Sequence, residues 1–321
     1  MPLKFSLSLL GILALLLLAA MPAPARAQSC SFSVASVNFG STDTLSGAPA
    51  TTNATLLANC SGSPFSTILI CPNLGSGSGG ATASMRQMLS GADVLNYQLY
   101  SDSARTVVWG SQVWPFPSRP PAISVTLNGI GTGSASRQIY GALFGGQSTA
   151  PPGSYLSSFS GMHVEFRYRY SSLNSCSGGA SGAIARPSFN VMANVAANCL
   201  VATQDVDFGS RGILDSSVDA TGQLAVTCTP GSAYTVALNG GMANAPPTAR
   251  KMFKGTETVT YGLYRDPARS QPWGDASTPG STLTGTGNGN TQYLTVYGRV
   301  QSQTTPSPGV YTDTVVVTVT Y

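Results

Sequence analysis

The side chains with the most chemistry to offer are six cysteines, Cys30, Cys60, Cys71, Cys176, Cys199 and Cys228, and one histidine, His163. No Cys-x-x-Cys pair occurs, and an even set of widely spaced thiols fits a disulfide framework better than a metal or redox centre. His163 falls with Glu165 and Arg167 on the polar side of an alternating run, with no nucleophile beside it. Asp205 and Asp207 sit one residue apart ahead of Phe208; they either reach for a cation or are solvated polars, and the second reading is the simpler. No nucleophile–base pair, metal-ligand cluster or phosphate loop is visible, so neither enzymatic activity nor a metal or cofactor is expected.

What remains is contact chemistry. Residues 111–121 read Ser-Gln-Val-Trp-Pro-Phe-Pro-Ser-Arg-Pro-Pro and set Val113, Trp114 and Phe116 among prolines, which lower the entropy lost on binding. Leu143-Phe144-Gly145-Gly146 and Asn128-Gly129-Ile130-Gly131 are two further apolar turns. Val113, Trp114, Phe116, Ile130, Leu143 and Phe144 are therefore the candidate surface-binding residues. The alternative is that these side chains pack on their own domain or on its neighbour, as large apolar groups commonly do.

Composition bounds the setting. Lys4 precedes an apolar run over residues 9–20, and Ala25-Arg26-Ala27 offers small residues where a signal peptidase cuts. The expectation is a signal peptide over residues 1–27, a mature chain from Gln28, and export to an oxidising compartment. Charged residues make up only 9% of the chain, glycines number 36, and the net charge is +4. That charge is too small and too scattered for a nucleic-acid partner.

A repeat organises the rest. Cys30, Phe39-Gly40 and Cys60 return as Cys199, Phe208-Gly209 and Cys228. Arg86-x-Met88, Tyr97-x-Leu99-Tyr100-x-Asp102-x-Ala104-Arg105 and Trp109-Gly110 return 164 positions later, from Arg250 to Gly274. Tyr140-Gly141 and Pro152-Gly153-x-Tyr155 match Tyr297-Gly298 and Pro308-Gly309-x-Tyr311. Within each copy short runs alternate with period two, as in residues 162–170 and 314–321, separated by Gly, Pro, Ser and Asn clusters. This pattern predicts two antiparallel β-sandwich domains, over residues 28–176 and 199–321, joined by a linker over residues 177–198. Matched spacing suggests disulfides Cys30–Cys60 and Cys199–Cys228, and elimination leaves Cys71–Cys176, one of 15 arrangements open to six cysteines. Aromatics shared by both copies, Tyr97, Tyr100 and Trp109, and the shared Arg86 and Arg250, are expected to serve structure rather than ligand contact. The first copy departs after the shared Trp-Gly, where the second has only a polar loop over residues 275–280.

The Cys…Phe-Gly…Cys opening, the Arg-x-Met, the Tyr-x-Leu-Tyr-x-Asp…Trp-Gly core and the Pro-Gly-x-Tyr ahead of a Val/Thr-rich last run resemble the spore coat protein U domain family. That family includes subunits of archaic (Csu-type) chaperone–usher pili, and a two-domain chain with a divergent first half resembles their tip adhesins. The resemblance implies immunoglobulin-like sandwiches, the second lacking its last strand. A periplasmic chaperone would fill that gap first, an outer-membrane usher would pass the subunit out, and the next pilin subunit would then donate a strand. Val315, Val317, Val319 and Tyr321 would line the groove that receives it. Only two residues precede Cys30 after cleavage, so the chain is expected to accept a strand without giving one. Phe189, Val191 and Val195 alternate in the linker and are expected to complete the first domain in cis. The implied role is attachment of the pilus tip to abiotic or host surfaces, and biofilm formation, at the cell surface after passage through the periplasm. A non-polymerising coat or surface structural protein and a sugar-binding lectin are the competing readings.

Overall fold

A computed structural model describes residues 27–82, 85–116, 118–177 and 181–321; the expected signal peptide falls almost wholly outside them. Among the described residues twenty strands build two all-β domains, and the chain's own alternation is the reason. The first domain uses β1 (Ser29–Val34), β2 (Val37–Thr42), β3 (Ala50–Ser61), β4 (Thr67–Leu74), β5 (Arg86–Ser90), β6 (Asp93–Tyr100), β7 (Ile123–Thr126), β8 (Thr132–Leu143), β9 (Gly153–Phe159), β10 (Val164–Tyr170), β11 (Ala183–Ala185) and β12 (Phe189–Val195). The second uses β13 (Cys199–Gln204), β14 (Val218–Cys228), β15 (Ala233–Leu238), β16 (Arg250–Lys254), β17 (Glu257–Tyr264), β18 (Leu283–Thr286), β19 (Thr291–Val300) and β20 (Val317–Thr320).

In the first domain one sheet runs β1-β3-β8-β6-β5-β9-β12-β2 and faces a second, β11-β10-β4-β7. Inward residues of both sheets, among them Leu56, Ile70, Tyr97, Trp109, Phe159, Phe166 and Val191, form one buried core. The second domain repeats the plan with fewer strands, β13-β14-β19-β17-β16 facing β18-β15-β20. All six cysteines are paired as Cys30–Cys60, Cys71–Cys176 and Cys199–Cys228.

The repeated motifs carry repeated geometry. Asp102 accepts from the backbone N–H of Thr106 and Val107, and Asp266 from those of Ser270 and Gln271. Arg105 and Arg269 follow in the left-handed region at φ 58° and 57° and donate to the carbonyls of Gly141 and Gly298. Trp109 and Trp273 are buried and donate from Nε1 to the carbonyls of Pro72 and Val236. Two buried arginines close the same loops: Arg86 donates to Gly75 O, Leu74 O and Trp109 O, and Arg250 to Asn239 O, Leu238 O and Trp273 O. Burial pulls both guanidinium groups below their ordinary pKa, Arg86 to about 10.

The strand run expected from Met162 begins instead at Val164. A 3-10 turn over Gly161–His163 intervenes, letting the chain pass from one sheet to the other, and Met162 points to solvent. Glu165 is not on a solvated face. It is buried, paired with Arg167 at 2.6 Å and with Arg186 beside the linker strands.

Candidate functional site

The two copies differ most where they should be alike. In the first domain the linker segment runs back along β10 and β9: β11 pairs antiparallel with β10, and β12 pairs antiparallel with β9 and parallel with β2. Phe189, Val191, Ala193 and Val195 point into the core, and the Phe189 ring stacks on Phe159 at 4.6 Å. Linker residues thus finish both sheets of the first sandwich.

Among the described residues the second domain has no such segment. Val206-Asp207-Phe208-Gly209 matches Val37-Asn38-Phe39-Gly40, yet residues 205–211 form no strand where β2 does. Likewise Gly309-Val310-Tyr311 matches Gly153-Ser154-Tyr155, yet residues 309–316 are irregular where β9 is regular. Phe253 bridges Thr312 as Leu89 bridges Leu156, so the segment occupies the corresponding place with one edge vacant. The same local sequence is a strand only where a neighbour pairs with it, so tertiary contact decides the outcome.

The result is an open groove. Val206, Phe208, Tyr311, Val315, Val317 and Val319 pack only partly against the second core, and Tyr321 is exposed. Their first-domain counterparts across from β4, Val164, Phe166 and Tyr168, are buried. β20 pairs with β15 on one edge, while its other edge has no strand among the described residues. A row of unpaired backbone donors and acceptors beside an uncovered apolar core is a template for a further strand. Asp313 stands where the first domain has Ser157; it accepts from Tyr261 Oη at 2.6 Å and from Met242 N at 2.8 Å. Burial, then Asp313, pushes the Tyr261 hydroxyl pKa up. Glu257 ties down the groove's outer turn through Ser307 and Tyr311, and these hydrogen bonds hold its pKa down at about 2.

β12 cannot serve both domains. Only Ala196–Asn198 separate it from β13, and four Cα steps reach at most about 14 Å. To enter the second groove in the same orientation, the chain would have to return the length of a seven-residue strand, about 23 Å.

The domains stack end to end. Val195 marks the end of the first domain that adjoins the second, and its partners Gly153 and Thr42 lie there too. Gly289 of the second domain approaches Ser148 so closely that a Cβ at 289 would sit 2.3 Å from the Ser148 carbonyl oxygen. The opposite, free end of the first domain carries the turns after β3 and β7.

This geometry takes Leu143 out of the expected surface patch. Leu143 is 1% exposed: it ends β8 opposite Ala50 and Tyr97, and it lies at the end facing the second domain. Phe144 is at that same end and half-buried, its N–H donating to Asn96 O. Phe116 lies over the Arg86 guanidinium at 4.0 Å, and Trp114 packs on Gly75. With Val113 they form a half-buried strap on the domain's flank, anchored by Ser111 Oγ. A buried cation and a bare glycine backbone lie against these two rings; of the six residues Leu143 is buried, and Val113, Trp114, Phe116 and Phe144 are half-buried.

Ile130 alone stands free, 74% exposed, at the far end. Its neighbour is Phe65, 80% exposed, whose ring lies against Gly129. Sequence reasoning missed Phe65. The signal was a spacing: Ile70 follows Cys60 by ten positions, whereas the equivalent Tyr234 follows Cys228 by six. The corresponding turn of the second domain, around Gly289, abuts the first. Asp207 accepts from Gly209 N in a turn, and no three His, Cys, Asp or Glu side chains gather among the described residues.

Comparisons with known proteins agree with this architecture. A family model described as the Spore Coat Protein U domain matches residues 15–160 and again 185–318. Protein U of Myxococcus xanthus is 32% identical over 160 residues, covering 44% of this chain and 88% of that protein. Among solved structures, the CsuC–CsuE chaperone–tip adhesion subunit pre-assembly complex from archaic chaperone-usher Csu pili of Acinetobacter baumannii matches 91% of this chain and 100% of that chain. That match has 16% identity and a TM-score of 0.50. The CupB6 tip adhesin of Pseudomonas aeruginosa matches 92% of this chain and 94% of that chain at 13% identity and a TM-score of 0.37. The fold is shared with the first of these solved structures.

Proposed function

The chain belongs to the spore coat protein U domain family, and from that premise we propose that it is the adhesive tip subunit of an archaic chaperone–usher pilus. The observation that carries this reading is the asymmetry of the two grooves: the first is filled by β11 and β12, and the second is open along β20 and residues 309–316. A subunit with one groove to fill takes a strand from a periplasmic chaperone during export and exchanges it, at the outer-membrane usher, for one from the next pilin. The strand enters antiparallel to residues 309–315, as β12 lies against β9, and its alternate apolar side chains cover Val206, Phe208, Val315, Val317 and Val319. A non-polymerising coat protein has no use for such an opening.

The first domain then stands outermost, and its free end presents Phe65 and Ile130 to abiotic or host surfaces. Burying two such side chains gives about 3–6 kcal/mol gross. Immobilisation removes much of it, so single contacts are weak and many pili supply the avidity that biofilm attachment requires. Two variants separate the halves of this reading. Val317→Asp/Val319→Asp is expected to keep the subunit out of pili, while Phe65→Ser/Ile130→Ser is expected to leave piliation intact and abolish attachment to polystyrene. Normal incorporation of the first variant, or normal attachment by the second, overturns the corresponding half.

A further inference from the structure

The free end of the first domain carries a polar cleft beside the exposed aromatic. Its volume is about 530 Å³, and it is lined by Ser29, Ser31, Asn59, Cys60, Ser61, Asn128, Thr132, Gly133 and Ser134. None of these residues is charged and none is a large apolar group. The register explains the surface: Ser29 pairs with Ser61 and Ser61 with Thr132, while Ser31 pairs with Asn59 and Asn59 with Ser134. Two rungs of three polar side chains therefore lie side by side on the outer face of β1, β3 and β8. Neighbouring strands are about 4.8 Å apart and same-face residues about 6.8 Å apart along each strand, a grid on the scale of a sugar ring.

Each hydroxyl and amide in this grid can both donate and accept. Ser29, Asn59, Ser61 and Ser134 have no side-chain hydrogen-bond partner among the described residues. Asn128, by contrast, is fixed: its Oδ1 accepts from Ile130 N and Thr132 N, and its Nδ2 donates to Thr132 Oγ1. That arrangement sets the rim, and Phe65 lies against the adjoining Gly129 and offers an apolar face next to the polar floor. In the second copy the rung of Ser31, Asn59 and Ser134 is broken by an apolar group: Leu200 stands where the first copy has Ser31, beside Thr227 and Thr291.

We infer that this cleft binds a neutral polysaccharide chain, with the Ser/Asn/Thr grid meeting its hydroxyls and Phe65 covering the apolar face of one ring. Absence of charge disfavours acidic glycans, nucleic acid and phosphate, and absence of an apolar floor disfavours a protein segment. The inference rests on the proposed reading that the first domain is the contacting end, and it supplies a ligand class for that end.

The test uses the mature chain and a panel of neutral hexasaccharides (cello-, chito-, malto- and galacto-series) in calorimetric titration. At least one is expected to bind at about 1 mM or tighter. Asn59→Ala/Ser134→Ala is expected to weaken it about tenfold or more with an unchanged melting temperature, and Phe65→Ala to weaken it as well. No binding by any member of the panel, or unaltered binding by Asn59→Ala/Ser134→Ala, overturns the inference. The polystyrene assay keeps the two readings apart. If Phe65→Ser/Ile130→Ser loses attachment to plastic while no hexasaccharide binds, the adhesin reading stands and this inference falls. Saccharide binding that needs Asn59 and Ser134, with plastic attachment indifferent to Phe65 and Ile130, gives the reverse.

Discussion

Replacing Phe189 with alanine strikes the strand that closes the first sandwich. The ring is 5% exposed, stacked on Phe159 at 4.6 Å with planes 8° apart, and its backbone pairs with Phe159 across the sheet. Truncating a buried Phe costs about 3–5 kcal/mol, against a total stability of about 5–15 kcal/mol for a domain. For a domain of this size that lowers the melting temperature by about 10 °C. The neighbouring Asn190 points the other way, and Asn190→Ala should move it little, within about 0.5 kcal/mol. Differential scanning calorimetry of the intact chain reads both domains at once. The first-domain transition should fall and the second-domain transition should stay, because β12 contributes nothing to the second core. An unmoved first transition, or an equal fall in both, would refute the reasoning.

Three further outcomes follow. Cys71–Cys176 closes a loop of 105 residues, so removing both cysteines should cost the first domain about 4–5 kcal/mol, seen as a lower urea midpoint with the second domain unaffected. Arg86→Met leaves the carbonyls of Leu74, Gly75 and Trp109 without their donor and should cost about 3 kcal/mol or more; Arg86→Lys should rescue little, because an ammonium cannot reproduce the fork, and chemical denaturation checks both. Glu257 has a folded pKa of about 2 against an ordinary 4.5, so its contribution is complete above 4.5 and is lost as pH falls through 2. A second-domain melting temperature followed across that window should drop on acidification, and Glu257→Gln should flatten the profile.

Much of the fold was legible because local chemistry repeats. Two copies of Asp-x-Ala-Arg, Trp-Gly and Arg-x-Met impose the same turns and the same buried guanidinium twice, and period-two alternation marks the strands. The linker strand was legible too, since Phe189, Val191 and Val195 alternate after a Gly/Ser stretch. The surface patch was not. Trp114 and Phe116 look displayed in the sequence because they have no counterpart in the second copy, but what holds them is Gly75 and Arg86, partners distant along the chain. Leu143 follows a shared Tyr-Gly and precedes two glycines, which suggests a turn; only the pairing of β8 with β3 and β6 puts it inside. Phe65 was hidden in a Gly-Ser-Pro-Phe-Ser turn, where a spacing comparison with the second copy would have found it. Glu165 read as solvated because Arg186, which buries it, lies across the linker.

Hydrogen exchange followed by mass spectrometry on the intact chain tests the groove asymmetry most directly. Amides of residues 309–316 and of the outer edge of β20 should exchange fast in the isolated chain, while those of β9 and β10 stay protected, and binding of the periplasmic chaperone should slow the former alone. Strong protection of residues 309–316 in the isolated chain, matching that of β9, would contradict an open second domain.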